Sequence, residues 1–384
     1  MSGKRKIHFN SAFTIGNELK YIQQAVENLR LSGNGPFSKK CQQWLEDNLG
    51  CKKALLTHSG TGALEMMALL CRVGPGDEVI MPSFTFVSTA NAFALQGATP
   101  VFVDIRPHDM NIDPELVADA VTPRTKVIVP VHYAGHPCDM ERINEIARRK
   151  NLFVVEDAAH AFLIPHKGRH LGTWGNLGCL SFHETKNIIC GEGGALLIND
   201  PVLMDRAEII WEKGTNRKDF SKGTVAKYTW VDLGSSYYPN EITSAFLFAQ
   251  LERCSEIIGR RKTLHRHYYQ RLRALHEKGM IGLDENGLDE SSTCHIFYLF
   301  TRDKAERARL INYLAGLGIM SVFHFVPLHS SEAGRKFGRV HGAMTITDDY
   351  SDRLLRLPLH YQLTENEVDE VCDAVYRFYG FNPD

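Results

Sequence analysis

Ser181-Phe182-His183-Glu184-Thr185-Lys186-Asn187, closed by Gly191-Glu192-Gly193-Gly194, is the stretch from which the fold is read. The apolar run Gly178-Cys179-Leu180-Ser181-Phe182 leads into it, and Ala195-Leu196-Leu197-Ile198 leads out. The spacing predicts strand, glycine-rich tight loop, strand, with Lys186 held on the loop. Burial of a lysine is costly, because desolvation disfavours the ammonium. The same desolvation makes a lysine a nucleophile able to form a Schiff base with a carbonyl. An exposed loop lysine is the commoner case, so the flanking sequence has to decide.

Upstream, short apolar runs alternate with helical periodicity. Ala54–Thr57, Glu78–Met81, Val101–Asp104, Lys126–Tyr133 and Leu152–Asp157 read as strands, and the segments between them include helices from about Ala63 to Arg72, up to Ala94 and over 140–150. Near-continuous apolar strands in repeated βα units predict an α/β fold with a mainly parallel sheet covered on both faces. Ligands of such sheets collect at the carboxyl ends of strands, where Thr57–Gly62, Ser83–Phe86, Tyr133, Asp157–His160 and Ser181–Lys186 fall. N-terminal to these, residues 17–30 and a segment ending at Gly50 read as helices flanking the turn Leu31–Pro36. Beyond about residue 240 the pattern changes to one long helix over 241–275, with or without a kink, then a mixture of strand (His295–Phe300) and helices (305–316 and 365–379). The division expected is residues 1–250 as a large domain with an N-terminal segment and 251–384 as a smaller α+β domain, hinged at the long helix.

The bulk properties exclude several classes. In 384 residues, 43% are hydrophobic and 23% charged, and the net charge is −1, which offers nothing to nucleic acid or an anionic membrane. Met1–His8 is charged without a following apolar core, so no secretory signal is read there, and no apolar run is long enough to span a bilayer. Nine dispersed cysteines without a Cys-x-x-Cys pair point to reduced thiols in the cytoplasm, with no disulfide framework and no metal site. No Gly-x-Ser-x-Gly elbow or Walker loop occurs, and the sheet does not open with Gly-x-Gly-x-x-Gly.

What remains fits pyridoxal 5′-phosphate. Asp157 at a strand end can pair with a protonated pyridine nitrogen, and Lys186 can hold the aldehyde. Gly60-Thr61-Gly62, opening a helix, can take a phosphate with help from Ser181, and Phe86 can stack on a ring. A lone strand-end Asp is more often a helix cap and a Gly-containing turn is often only steric; it is their combination that argues for a cofactor.

The sequence resembles the DegT/DnrJ/EryC1/StrS family of sugar aminotransferases, which have the fold-type I architecture. The likeness runs along nearly the whole chain, through Gly33-Asn34-Gly35, Ser59–Leu64, Pro75–Ile80, Pro82–Phe86, Pro130–Gly135, Glu156–His160, Pro327-Leu328-His329 and Leu357-Pro358-Leu359. Ser181–Asn187, Glu212–Arg217 and Asp232–Tyr237 most resemble the branch making dTDP-4-amino-4,6-dideoxygalactose for enterobacterial common antigen. The resemblance implies Lys186 as Schiff-base lysine, Asp157 as the pyridine-nitrogen partner, and Phe86 as the stacking ring. It gives Gly60, Thr61 and Ser181 to the phosphate and places His160 beside the cofactor oxygen. Arg217, His324 and His329 are expected on the nucleotide-linked keto sugar. Where relatives carry a phosphate-binding Asn from a neighbouring subunit, Tyr238 stands here, with Arg217 as a substitute. A cytoplasmic homodimer, glutamate as amino donor and amination at C4 of dTDP-4-keto-6-deoxyglucose follow as expectations. The competing readings are a 3-keto sugar aminotransferase, a sugar 3-dehydratase, which has His in place of the lysine, and a non-enzymatic regulator.

Overall fold

The main sheet contains β1 (Lys53–Thr57), β2 (Glu78–Pro82), β3 (Thr99–Val103), β4 (Thr125–Ile128), β5 (Phe153–Asp157), β6 (Leu177–Ser181) and β7 (Gly194–Ile198). This computed structural model describes residues 6–289 and 291–381, so residues 1–5 of the N-terminal segment discussed above lie outside the described residues. The spatial order is β1-β7-β6-β5-β4-β2-β3, and Arg339–Val340 pairs in parallel beyond β3. β7 runs antiparallel to both of its neighbours and the remaining pairs are parallel. The reversal is local: β6 and β7 are joined by the short lysine loop, whereas the parallel strands need crossovers.

Both faces of the sheet are buried, which is why the strands read as unbroken apolar runs. Leu55, Val79 and Met81 point into one core with Met66 and Phe93 of the adjoining helices. Ala54 and Leu56 point into the opposite core, and Ile80 into a third cluster with Ile143 and Val154. The alternation along β1 and β2 is the period of two that a pleated strand imposes.

Three of the boundary differences bear on the site or the cores. The helix expected from Ala63 begins at Gly60 and runs to Leu70, because the Ser59 side chain caps it by accepting from the Gly62 N–H at 3.0 Å. Gly60-Thr61-Gly62 is therefore the first helical turn. The strand expected over Lys126–Tyr133 stops at Ile128, since Pro130 has no N–H for the ladder and the chain turns at Tyr133–Gly135. The single helix expected over 241–275 is two, Glu241–Glu252 and Cys254–Glu277, broken at Arg253. The first piece packs on Glu18–Glu27 and Pro36–Leu49; the second carries Leu264, Tyr268 and Leu272 into the C-terminal core. Helical periodicity continues through Arg253: Cys254, Ile257 and Ile258 still serve the core of Leu247 and Leu251, and only from Leu264 does the apolar side turn to the C-terminal core.

The C-terminal sheet has the order Gly282–Leu283, Phe297–Phe300, Leu354–Leu357, Val322–Phe323, all antiparallel. Leu299, Leu355 and Leu357 face a core with the helices Lys304–Gly316 and Glu365–Tyr379. The other face turns toward the main sheet, where Tyr298 and Leu354 join Phe84, Ile105 and Tyr133. Ile7 belongs to the C-terminal core: its N–H donates to the Gly318 carbonyl and its carbonyl accepts from Met320, both at 3.0 Å. Among the described residues no helix is long and apolar enough to cross a membrane.

Candidate active site

β1, β5 and β6 are parallel, so their carboxyl ends open on one edge, and a cavity of about 580 Å³ lies there against the C-terminal sheet. Its walls include Gly60, Thr61, Phe86, Asp157, His160, Ser181, Lys186 and His324.

The lysine loop is pinned from both sides. The Phe182 N–H donates to the Gly193 carbonyl at 2.8 Å and the Lys186 N–H to the His183 carbonyl at 2.8 Å. Asn187 reaches the segment leading into the C-terminal sheet, donating to the Thr293 carbonyl at 2.8 Å and pairing with His295 Nδ1 at 3.0 Å. Among the described residues Lys186 Nζ makes no hydrogen bond or ion pair. Burial pushes its pKa down to about 8; Asp157 opposes that shift and Arg356 adds to it. A lysine in this range is an available nucleophile near neutrality.

Asp157, 6% exposed, is aimed by its partners. Thr89 Oγ1 donates to Oδ2 at 2.7 Å, Thr85 Oγ1 lies 2.9 Å from Thr89 Oγ1, and the Ala159 N–H donates to Oδ1 at 3.1 Å. Where β1 runs into its helix, the Gly60 and Thr61 N–H groups open the helix without a partner among the described residues. Thr61 Oγ1 lies 2.8 Å from Ser88 Oγ. A Cβ on Gly60 would stand 3.0 Å from Ser181 Cβ, and one on Gly194 would strike the Gly60 nitrogen at 2.5 Å. Both glycines are there for close approach rather than for a special φ.

The far wall is aromatic, with Arg356 as its charged member. His160 lies 4.3 Å from the His295 ring, and Tyr133 Oη is 3.0 Å from His324 Nδ1. Burial, reinforced by Lys186 and Arg356, holds all three histidines well below the ordinary imidazole range. Phe86, 57% exposed, stands at the rim and caps the helix Val87–Ala94.

Two expected residues are elsewhere in this chain. His329 Nδ1 lies 2.8 Å from Ser83 Oγ and its N–H donates to the same oxygen at 3.0 Å, a structural lock outside the cavity lining. Arg217 is half exposed, 3.5 Å from Glu212, and does not line the cavity. Tyr238 also lies off the cavity, with its hydroxyl bonded to Lys213 and its ring edge-on to Trp211. Conversely, Thr89, Tyr133, His295 and Arg356 serve the site and were not singled out from sequence as members of it. Tyr133 alone carried a signal, its place at a strand end.

The residues fit pyridoxal phosphate on structural grounds: a desolvated lysine without a partner, an oriented carboxylate, and a helix start with open N–H groups narrowed by glycine. The comparisons agree. The DegT/DnrJ/EryC1/StrS aminotransferase family matches residues 14–376. GDP-perosamine synthase of Escherichia coli O157:H7 is 31% identical, covering 95% of this chain and 96% of its own length. The enzyme of the same name from Caulobacter vibrioides is 33% identical, covering 94% and 95%. The crystal structure of the aminotransferase TlmJ from Streptoalloteichus hindustanus superposes with a TM-score of 0.88 at 29% identity, covering 97% of this chain and 99% of that one. The architecture is that of the fold-type I transferases, and the cofactor is pyridoxal 5′-phosphate.

Proposed function

The chain belongs to the DegT/DnrJ/EryC1/StrS aminotransferase family, and from that premise we propose that it moves an amino group from glutamate to C4 of a nucleotide-linked 4-keto-6-deoxyhexose. The observation that carries the reading is Lys186, desolvated and without a partner, facing Asp157 across one cavity. Bound there, the cofactor would supply an electron sink for the carbanion formed at the donor's Cα. Lys186 would hold the cofactor's aldehyde, be displaced by the donor amine, and then carry the proton away from the donor's Cα. Asp157, fixed by Thr89, would keep the ring nitrogen protonated. Gly60, Thr61 and Ser181 would bind the phosphate, Phe86 would cover one ring face, and His160 would lie by the ring oxygen. His324 would meet the sugar. The 3-dehydratase reading is disfavoured because Lys186 is present.

Residues 1–250 would act as the cofactor domain and 251–384 as the smaller domain, in a homodimer working in the cytoplasm. Arg217 and His329, away from the cavity in one chain, would contribute only across such a dimer or on closure of the domains. The acceptor proposed is dTDP-4-keto-6-deoxyglucose, on the motifs Ser181–Asn187, Glu212–Arg217 and Asp232–Tyr237. A GDP-linked acceptor is the second reading, because relatives covering nearly the whole chain are named for a GDP-linked amino sugar. The test is incubation with glutamate and a panel of dTDP-, GDP- and UDP-linked 3-keto and 4-keto sugars, with the new C–N bond located by NMR. Amination at C4 of the dTDP sugar is expected. Amination at C3, or turnover of another nucleotide alone, overturns the acceptor assignment and leaves the cofactor chemistry standing.

A further inference from the structure

His295 leads into the strand Phe297–Phe300 and is 4% exposed, and it lines the cavity with Lys186 and Asp157. Its backbone is held from the helix Cys254–Glu277. There the buried Arg261 donates from Nε to the Cys294 carbonyl at 3.2 Å and from Nη2 to the His295 carbonyl at 2.6 Å. Its ring is held by Asn187, the residue after Lys186. Asn187 Nδ2 donates to the Thr293 carbonyl at 2.8 Å, and that bond fixes which end of the amide is which. Oδ1 is then the atom 3.0 Å from His295 Nδ1, and a carbonyl oxygen only accepts. The proton of the neutral imidazole is therefore on Nδ1, and Nε2 carries a lone pair. Among the described residues nothing donates to that lone pair. The His160 ring packs alongside at a 36° tilt, and its own Nδ1 accepts from the Ala134 N–H at 3.3 Å. Burial keeps His295 well below the ordinary imidazole range, and His160, Lys186, Arg261 and Arg356 around it add to that.

A buried acceptor on a cavity wall calls for a ligand group that donates to it. Most groups that enter an aminotransferase cavity do not donate. The phosphate and ring oxygen of the cofactor, the carboxylates of the amino donor and the ketone oxygen of the acceptor all accept. The ring N–H of the cofactor would be met by Asp157, and the donor's amine is committed to the transfer itself. The hydroxyls of the sugar are left. Of these, the one on the carbon beside the ketone comes nearest to the group that Lys186 would hold. We propose that His295 Nε2 receives the C3 hydroxyl of the acceptor sugar, with Asn187 as the positioning residue that keeps the lone pair on that nitrogen, an assignment that rests on the aminotransferase reading above.

The holoenzyme is assayed with glutamate and two acceptors, dTDP-4-keto-6-deoxyglucose and the same sugar without its C3 hydroxyl, or the GDP-linked pair if that is the nucleotide turned over. Each enzyme is described by the ratio of kcat/KM for the two sugars, in which losses common to both cancel. Wild type should favour the hydroxylated sugar about thirtyfold, because the deoxy sugar leaves Nε2 unpaired. In His295→Phe that preference should drop at least about tenfold. Asn187→Asp keeps an acceptor beside Nδ1 but adds a charge that raises the imidazole pKa. A protonated ring has no lone pair, so in Asn187→Asp the preference should fade from about pH 8.5 down to about pH 6, while in wild type it stays flat. The visible band of the lysine-bound cofactor shows that a variant is folded, and if His295→Phe lacks it, Asn187→Asp carries the comparison. A preference that survives in His295→Phe, a wild type indifferent to the hydroxyl, or an Asn187→Asp preference flat with pH overturns the assignment. A wild type that aminates no nucleotide-linked sugar at C4 overturns the functional reading above instead.

Discussion

Replacing Lys186 with Met removes the ammonium while keeping most of the aliphatic length, and should stabilise the cofactor-free protein. Burial moves the lysine pKa from 10.5 to about 8. A shift of that size corresponds to roughly 3 kcal/mol against the charged form. Solvent reaching the open cavity reduces this, so a gain of about 1–2 kcal/mol at pH 7 is expected for the variant. The pH dependence fixes the sign. Between about pH 8 and 10.5 the unfolded wild type still holds the proton that the folded wild type has released. Wild-type stability from this group therefore rises with pH across that window, and the advantage of Lys186→Met shrinks to nothing by its upper end. Urea unfolding of both cofactor-free proteins at several pH values, at one protein concentration, reads the difference. A variant less stable at pH 7, or a difference flat from pH 7 to 10.5, refutes the argument that the cavity strains this lysine. The strain is functional, since any covalent use of Nζ as a neutral amine relieves it.

Other outcomes test the neighbours. Asp157→Asn should lower turnover at least about a hundredfold, about 2.7 kcal/mol, and a loss under about threefold would make Asp157 structural. Thr89→Val, which leaves Asp157 Oδ2 without its 2.7 Å donor, should cut the rate constant roughly tenfold with little change in substrate KM; an equal effect on both would point to misfolding. Glu241, 1% exposed, accepts from the N–H groups of Gly35, Phe37 and Ser38. Glu241→Gln should cost about 3 kcal/mol in thermal or urea denaturation, since an amide N–H₂ would oppose those donors.

The strand ends were legible in the sequence, because Lys186, Asp157 and the Gly60 turn are each marked by residue type and local setting, and the structure brings all three to one cavity. Arg356 did not show itself. In Leu354-Leu355-Arg356-Leu357 an arginine alternating with leucines reads as the solvent face of a half-buried strand, and only the docking of two sheets makes that face a cavity wall. His295 was equally silent, since its place in the cavity wall depends on packing 4.3 Å from His160, which is remote in the chain. His329 was given to the sugar on a recognisable motif; in this chain its Nδ1 lies 2.8 Å from Ser83 Oγ, outside the cavity lining. The helix Cys254–Glu277 shows the limit of periodicity, which reports that a helix has an apolar side but not that Ile258 and Leu264 serve different cores.

Ile7 has a consequence for how this chain comes into being. Its bridge partner is Ile319, so it completes a core whose other members run from Leu264 to Tyr376, hundreds of residues later in the chain. At ~5–20 residues per second, Ile7 waits some tens of seconds on the ribosome for its partner. During that time the main sheet can close, but the C-terminal sheet cannot. Nascent chains thus leave Ile7 without its core, open to chaperones and proteases, until that later stretch is made. Variants weakened there should be lost chiefly as newborn chains, before the finished enzyme exists.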